Sequence, residues 1–178
     1  MQLNELALES ETLEKIISIK VNKIRDNQTY DVVIVGSGGA GLSAAISAAS
    51  TGAKVVVLEK RNTLGGNTLV SMGGVNIPGN DAQIDTSVED SKESFYEDII
   101  IGGDKESDVN QVNILVENAL ETYKWLKEFV GVEFKDSKLI HFGGHKVPRA
   151  AVFKGKYAIE LINKLREKAL SLGVVILN

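Results

Sequence analysis

Two short runs of β-branched residues flank a glycine-rich turn and an alanine-rich stretch within residues 31–59. Residues 31–35 form a mainly apolar run that ends at a glycine, which predicts a strand buried on both faces of a parallel sheet. Residues 40–50 are rich in alanine, which favours helix and allows close packing on a sheet. Residues 54–58 predict a second buried strand. Strand, turn, helix and strand in this order form a βαβ crossover, so an α/β fold with a parallel sheet is predicted.

The turn carries the pattern G-x-G-x-x-G between the predicted strand and the predicted helix, which is the position that a dinucleotide fingerprint requires. Gly36 permits the tight turn, Gly38 lets the backbone approach a pyrophosphate, and Gly41 lets the helix pack closely on the strand. The free amides and the positive dipole end of the helix would then face a diphosphate. The predicted phosphate loop comprises Gly36, Ser37, Gly38, Gly39, Ala40 and Gly41.

A carboxylate follows the second predicted strand. Glu59 lies where a dinucleotide-binding fold places an acidic residue that accepts hydrogen bonds from both adenosine ribose hydroxyls. The same carboxylate would repel a 2′-phosphate, which disfavours NADP. Together with the glycine pattern, Glu59 favours a dinucleotide site over a glycine turn in a fold that binds no dinucleotide.

A second glycine-rich stretch follows Glu59 and favours FAD over NAD. After the second strand an NAD enzyme normally runs directly into its next crossover helix, whereas residues 62–79 read as a long, functional loop. A second set of bare backbone amides suits the far end of a longer cofactor. The residues predicted to bind the cofactor in this stretch are Lys60, Arg61, Gly65, Gly66, Asn67, Thr68, Ser71, Met72, Gly73 and Gly74.

These motifs resemble the FAD-binding domain of soluble fumarate reductases, urocanate reductases and related flavocytochrome c proteins. The shared pattern is a dinucleotide fingerprint followed by Glu-Lys, Gly-Gly-Asn-Ser/Thr and Ser-x-Gly-Gly, and it stands here in the same order. The likeness continues through the Gly-Gly-His-Lys-Val-Pro-Arg segment at residues 143–149 and covers residues 31–178. Such a series of motifs in order makes the resemblance specific.

The resemblance implies a role for individual residues. Glu59 would hold the adenosine ribose, Asn67 and Thr68 the pyrophosphate and ribityl region, and the backbone of residues 71–74 the flavin N5 and O4 edge. Membrane-bound members tether FAD through a histidine in this loop, and Asn67 stands at that position here. The resemblance therefore implies noncovalent FAD.

The resemblance also implies a function. It indicates an FAD-dependent oxidoreductase that reduces an activated C=C bond of a small carboxylate by hydride transfer from flavin N5, of which this chain is the FAD-binding portion. Residues that grip the substrate would lie beyond Asn178, so the catalytic residues are unknown and the chain alone is expected to be inactive. A non-catalytic FAD-binding fragment or a split subunit completed by another chain remains an alternative, and an NAD-binding regulatory domain is a third. The electron donor would be separate.

The fold implied is a Rossmann-like FAD-binding fold of the glutathione-reductase type, incomplete at its C-terminus. Apolar residues at helical spacing predict an amphipathic helix at residues 6–24. Residues 1–29 are therefore predicted to be a helical extension, and residues 30–178 the N-terminal part of an FAD-binding domain whose capping domain is absent. The remaining predicted elements are helices at 88–100, 108–129 and 157–172, short strands and turns within 139–152, and a strand at 174–177.

Composition excludes several classes of function. The net charge of -4 and pI of about 5.3 provide no basic field, so neither nucleic acid nor a membrane is an expected partner. The chain contains no cysteine, which excludes disulfides, iron–sulfur clusters and Cys-zinc sites within it, and no metal site is predicted. A signal peptide is not recognisable, so a cytoplasmic location is expected.

Other residues invite functional readings that the sequence does not favour. His141, His145 and Arg149 could suggest a base and an anion clamp, but their place in the family points to a structural or cofactor-proximal role. Tyr123 and Trp125 have apolar neighbours on the predicted helix 108–129 and are expected in the core. The predicted apolar stripe of this helix includes Tyr123 and Leu115. A solvated loop is expected for the acidic residues Asp81, Asp85, Glu89 and Asp90.

Overall fold

The computed structural model describes residues 28–155 and 158–178, so the helix predicted at residues 6–24 lies outside the described residues. The described residues form two compact units. The first consists of residues 28–70 together with Leu165–Asn178, and the second is Ser71–Lys164. The predicted domain boundary at residue 30 stays a prediction.

A three-stranded parallel sheet forms the centre of the first unit. Its strands are β1 (Val32–Val35), β2 (Val55–Leu58) and β6 (Val175–Leu177), in the order β1-β2-β6. In the register, Val57 of β2 lies opposite Ile34 of β1 and Ile176 of β6. The middle strand is the most deeply buried, as expected for an apolar run with a partner on each side.

Helix α1 (Gly39–Ser50) connects β1 and β2 and completes the predicted βαβ crossover. Its small and branched residues pack against the sheet, and the completely buried ones are Leu42, Ala45 and Ile46. The helix ends at Thr51, and Gly52 takes a left-handed φ of +90° and donates its amide to Ala49. A glycine is favoured there because other residues adopt this conformation only with strain.

The first strand differs from its prediction. Residues 31–35 were expected to be buried on both faces, but Val33 is 57% exposed and Val35 is 84% exposed. Since β1 lies at the edge of the described sheet, and alternate side chains point to opposite faces, one apolar face of β1 faces solvent. The β-branched run predicted the strand correctly, but not the burial of both faces.

The second unit combines an antiparallel sheet with helices. The sheet has the order β3-β5-β4, with strands β3 (Gly74–Asn76), β4 (Phe134–Ile140) and β5 (Ala150–Phe153). Its helices are α3 (Asp81–Asp85), α4 (Lys92–Gly102) and α5 (Val109–Lys124), the last continuing as a π-helical segment, Trp125–Val130. Helix α6 (Ile159–Ser171) precedes β6. Among the described residues, every helix is too short or too polar to span a lipid bilayer.

One apolar cluster organises the second unit. Tyr123 is only 3% exposed and belongs to this cluster as predicted, whereas Trp125 is half-buried and stacks on Phe129 at 6.2 Å between ring centroids. Leu115 was predicted on the buried stripe of α5 but is 53% exposed. The buried residues of this helix are Val112, Val116, Ala119 and Tyr123. The buried members of the cluster are Ile77, Phe95, Val112, Val116, Ala119, Tyr123 and Ala151.

Candidate dinucleotide-binding site

The glycine turn between β1 and α1 depends on two glycines for different reasons. Gly36 has a φ of +95°, a conformation that residues with a side chain rarely adopt. A Cβ added to Gly41 would lie 2.0 Å from the carbonyl oxygen of Gly36, so a side chain there would force the backbone apart. The fold itself therefore requires glycine at both positions, in agreement with the roles expected of a dinucleotide fingerprint.

The composition of the N-terminus of α1 favours an anion. Gly38 is the N-cap and has no side chain to cap the helix, and no acidic residue lies in the first turn. The amide of Gly39 donates a hydrogen bond of 3.2 Å to the hydroxyl of Thr68. Thr68, which the sequence placed near a pyrophosphate, thus lies at the helix end where a diphosphate would be bound.

Glu59 follows β2 and reaches the glycine turn. Its Oε2 accepts hydrogen bonds from the amide of Ser37 at 3.0 Å and from the hydroxyl of Ser37 at 2.5 Å. Its Oε1 accepts from the amide of Arg61 at 3.0 Å. Partial burial raises the pKa of Glu59, but the hydrogen bonds from Ser37, Arg61 and Lys60 outweigh burial and lower the pKa overall. The carboxylate is therefore ionised at neutral pH.

The second glycine-rich stretch packs against the first. Gly65 forms a parallel bridge with Gly38, and its amide donates to the carbonyl oxygen of Ser37 at 3.1 Å. Gly65 has a φ of +103° and caps the short helix α2 (Gly66–Leu69) that carries Asn67 and Thr68. The structure thus brings the Gly65 end of the second stretch to the phosphate loop. Among the residues of this region that were predicted to bind the cofactor, those with exposed side chains or backbone are Ala40, Lys60, Arg61, Gly66 and Asn67.

Comparison with known proteins agrees with this geometry. The sequence profile of the FAD binding domain matches residues 31–174. The chain belongs to this family. Urocanate reductase of Eggerthella lenta is 41% identical over 139 residues, which make up 78% of this chain and 23% of that protein. Fumarate reductase (cytochrome) of Shewanella frigidimarina is 40% identical over 124 residues, or 70% of this chain and 21% of that protein.

The solved structure of an open conformation of a flavocytochrome c3 fumarate reductase has the same fold. It matches with a TM-score of 0.76 and 27% identity over 92% of this chain and 34% of the other. The resemblance inferred from the motifs and the predicted α/β FAD-binding fold are both confirmed. The chain spans less than a quarter of the length of either of the two curated relatives.

The last part of the predicted FAD site, residues 71–74, lies in the second unit. Ser71 is exposed and Met72 is 68% exposed. Gly73 has a φ of +84°, and its carbonyl oxygen accepts from the amide of Phe153. Gly74 begins β3, where an added Cβ would lie 3.2 Å from the carbonyl oxygen of Ala151. These two glycines therefore allow strand pairing within the second unit, and their contact with flavin stays a prediction.

Arg149 of the FAD-binding domain is part of a buried charge cluster, and this cluster corrects one expectation. Its guanidinium pairs with Asp90 at 3.1 Å and with Asp98 at 2.8 Å, and all three side chains are at most 3% exposed. Asp90 was expected in a solvated loop but is an internal ion-pair partner. The guanidinium also lies 4.9 Å from the ring centroid of Phe95. The side chain of Arg149 is therefore held in the interior by two carboxylates and is 0% exposed.

The two histidines lie in the same segment of the second unit. His141 Nε2 lies 2.7 Å from the carbonyl oxygen of His145. Burial and then the charge of Arg149 lower the pKa of His145. The imidazole of His145 is therefore neutral at neutral pH.

Asp81 belongs to the acidic group that was expected to be solvated, and it forms an ion pair with Lys127.

Sequence reasoning missed the contribution of Ser37, which occupies a variable position of the glycine pattern. The parallel register alone does not indicate it, because Val35 lies opposite Leu58 and the next pair is Gly36 with Glu59, one residue before Ser37. The pattern by itself requires no side chain at this position. Only the folded turn shows that Ser37 is the partner of Glu59.

Proposed function

We propose that this chain binds FAD noncovalently as the dinucleotide-binding part of an oxidoreductase of the fumarate reductase type. The observation that carries the proposal is the joint geometry of the phosphate loop and Glu59. A turn of glycines opens a helix whose first turn carries no acidic side chain, and an ionised carboxylate stands at the end of the adjacent strand. Both groups belong to the first unit and fit the two halves of an ADP moiety.

The chain's own residues would hold the cofactor in separate ways. The amides at the start of α1 would bind the diphosphate, Glu59 would accept a hydrogen bond from the adenosine ribose, and Thr68 would contact the pyrophosphate region. Family membership and the relatives named urocanate reductase and fumarate reductase support FAD as the dinucleotide. Bound flavin would supply hydride transfer from N5 to an activated C=C bond of a small carboxylate.

Noncovalent attachment is supported by the residues near the site. Residues 28–74 contain neither histidine nor cysteine, and Asn67 stands where membrane-bound relatives are expected to carry the linking histidine. Asn67 is exposed on α2, and its amide is a poor nucleophile. Release of all flavin from the protein after acid precipitation would support this part of the proposal, and retained yellow colour in the precipitate would contradict it.

The substrate and the electron donor lie outside what these residues specify. The chain covers 23% of the urocanate reductase and 21% of the fumarate reductase that it resembles. We propose a small unsaturated carboxylate as the substrate class and a separate electron donor or complementing chain as partner. A non-catalytic FAD-binding role is the second reading, and it requires the same site without turnover.

Titration calorimetry with FAD, ADP and NAD tests the proposal on the 178-residue chain. We expect FAD and ADP to bind, because the groups proposed to hold ADP are present in the first unit. The expected affinity is micromolar or weaker. Tight NAD binding without FAD binding would contradict the proposal. Fumarate- and urocanate-dependent oxidation of a reduced dye would then distinguish an active chain from the expected inactive one.

A further inference from the structure

Ser37 uses every polar group that it has within the phosphate loop. It is completely buried, and both its amide and its hydroxyl donate to Oε2 of Glu59. Its hydroxyl and its carbonyl oxygen both accept from the amide of Gly65, at 3.2 and 3.1 Å. A glycine or alanine at this position would satisfy the fingerprint equally well, so the pattern alone does not explain a serine.

We propose that Ser37 is a positioning residue that orients the Glu59 carboxylate toward the adenosine ribose and couples it to the diphosphate end of the site. The inference rests on the proposed function. It follows from the number of hydrogen bonds that Glu59 already accepts and from the second set of contacts that Ser37 makes.

The geometry of the carboxylate selects one oxygen for the ribose. An ionised carboxylate has about four lone-pair sites. Ser37 occupies both sites of Oε2, and the amide of Arg61 occupies one site of Oε1. Because Ser37 donates twice to Oε2, Oε1 is the oxygen that is left for a ribose hydroxyl. Ser37 thus directs the ribose to one oxygen of Glu59, whereas the sequence predicted an acceptor for both hydroxyls.

The second set of contacts extends to the diphosphate end. Gly65, which donates to Ser37, is the N-cap of α2, and Thr68 on that helix accepts from the Gly39 amide. One hydroxyl therefore joins the ribose carboxylate to the segment that contacts the first amide of α1. Loss of the Ser37 hydroxyl should loosen both ends of the ADP site together.

Two variants of Ser37 separate the hydroxyl from its volume. Ser37→Ala removes the hydroxyl, and Ser37→Cys keeps a side chain of similar shape but has only a weak donor. Ser50→Ala is the control, because Ser50 is the last residue of α1, away from the phosphate loop, and its hydroxyl donates to the Ser47 carbonyl oxygen. Circular dichroism and urea unfolding verify that each variant is folded.

Two measurements on the full 178-residue chain test the proposal. Carbon NMR of protein labelled at glutamate carboxyl groups reports the titration of Glu59, whose signal is assigned by its absence in Glu59→Gln. This measurement needs no cofactor. Titration calorimetry with FAD gives the dissociation constant of each variant, and the same Ser37→Ala change in the Glu59→Gln background shows whether its effect passes through the carboxylate.

We expect Ser37→Ala and Ser37→Cys to raise the titration midpoint of Glu59 and to weaken FAD binding about three- to tenfold. Ser37→Ala should have a much smaller effect in the Glu59→Gln background. An unchanged midpoint, or equal loss of affinity in both backgrounds, would overturn the proposal. If wild-type protein bound no FAD, the proposed function would be wrong. The NMR titration, which needs no cofactor, would then show independently whether Ser37 positions the Glu59 carboxylate.

Discussion

The glycines of the phosphate loop are present for different physical reasons. Gly41 is required by folding, because an added Cβ would lie 2.0 Å from a backbone oxygen that cannot rotate away. Gly38 has a φ of −68°, and an added Cβ would meet its nearest atom at 3.7 Å, an ordinary contact. The fold thus has room for a Cβ at Gly38, so the glycine at this position points to the ligand.

We expect Gly41→Ala to lower the free energy of unfolding by about 1–3 kcal/mol, as for other overpacked sites. Gly38→Ala should fold with nearly wild-type stability but bind FAD more weakly, because its methyl group would occupy the space of the pyrophosphate. Gly102→Ala is the control, because no atom lies within 4 Å of the added Cβ. Urea unfolding and calorimetry with FAD measure the two effects, and unimpaired FAD binding by Gly38→Ala would exclude Gly38 from the site.

Glu59 makes a pH-dependent contribution to both stability and binding. Because its pKa in the folded protein is lowered from 4.5, its ionised form stabilises the fold above that value. This contribution is lost as the pH falls through the lower pKa of the folded protein. We expect the difference in unfolding free energy between wild type and Glu59→Gln to be greatest above pH 4.5 and to shrink below it.

Urea unfolding at a series of pH values measures this difference, with the exposed Glu106→Gln as control. Glu59→Ala should also weaken FAD binding by about 1–3 kcal/mol, since the ribose loses a charged acceptor. A stability difference that does not change with pH would refute the role assigned to the ionised carboxylate.

At the scale of elements, capping residues account for the observed helix boundaries. The periodic pattern predicted a helix from residue 88, but α4 begins after Ser91, whose hydroxyl accepts from the Ser94 amide. Asp108 likewise accepts from the amides of Asn110 and Gln111 at the start of α5. The type of each element followed from periodicity, whereas its first residue depended on a side chain that caps the free amides.

The segment before β5 is bound to α4 through a hydrogen bond and a buried ion pair. Asp98 on α4 accepts from the amide of Lys146 at 2.9 Å and pairs with the buried Arg149. Asp90 completes the cluster from the loop before α4. The contact holds a turn-rich segment that has few regular backbone hydrogen bonds of its own.

We expect Asp98→Ala to lower the free energy of unfolding by about 3–5 kcal/mol, because it leaves the buried guanidinium of Arg149 with less compensation. The neighbouring Glu97→Ala breaks only an exposed ion pair with Lys146 and should cost less than about 1 kcal/mol. Urea unfolding of both variants provides the comparison. Equal effects at positions 97 and 98 would show that burial of the pair contributes nothing.

At the scale of the whole molecule, the sheet of the first unit presents an apolar surface. Val33 and Val35 lie on the same face of β1, at 57% and 84% exposure, and Leu58 is 37% exposed. Edge strands with exposed apolar side chains favour pairing or association with other chains. We therefore expect the chain to self-associate through this surface.

Val35→Lys is expected to reduce this self-association without loss of stability, since a charge at an exposed edge strand opposes pairing and the replaced side chain is mostly in solvent. Thr51→Lys, at an exposed position after α1, adds the same charge away from β1. Sedimentation velocity at increasing protein concentration compares the variants. Equal reduction by both substitutions would attribute the effect to net charge and not to the β1 surface.

The sequence by itself determined the βαβ unit, the phosphate loop, the position of Glu59 and the family. Each of these depends on residues close in the chain, whose backbone conformations and apolar periodicity are local properties. Tertiary structure alone decided that Ser37 holds Glu59, that Asp90 and Asp98 pair with Arg149, and that one face of β1 is exposed. These features arise from residues far apart in sequence, and their energies depend on burial and distance, which exist only once strands and helices have packed.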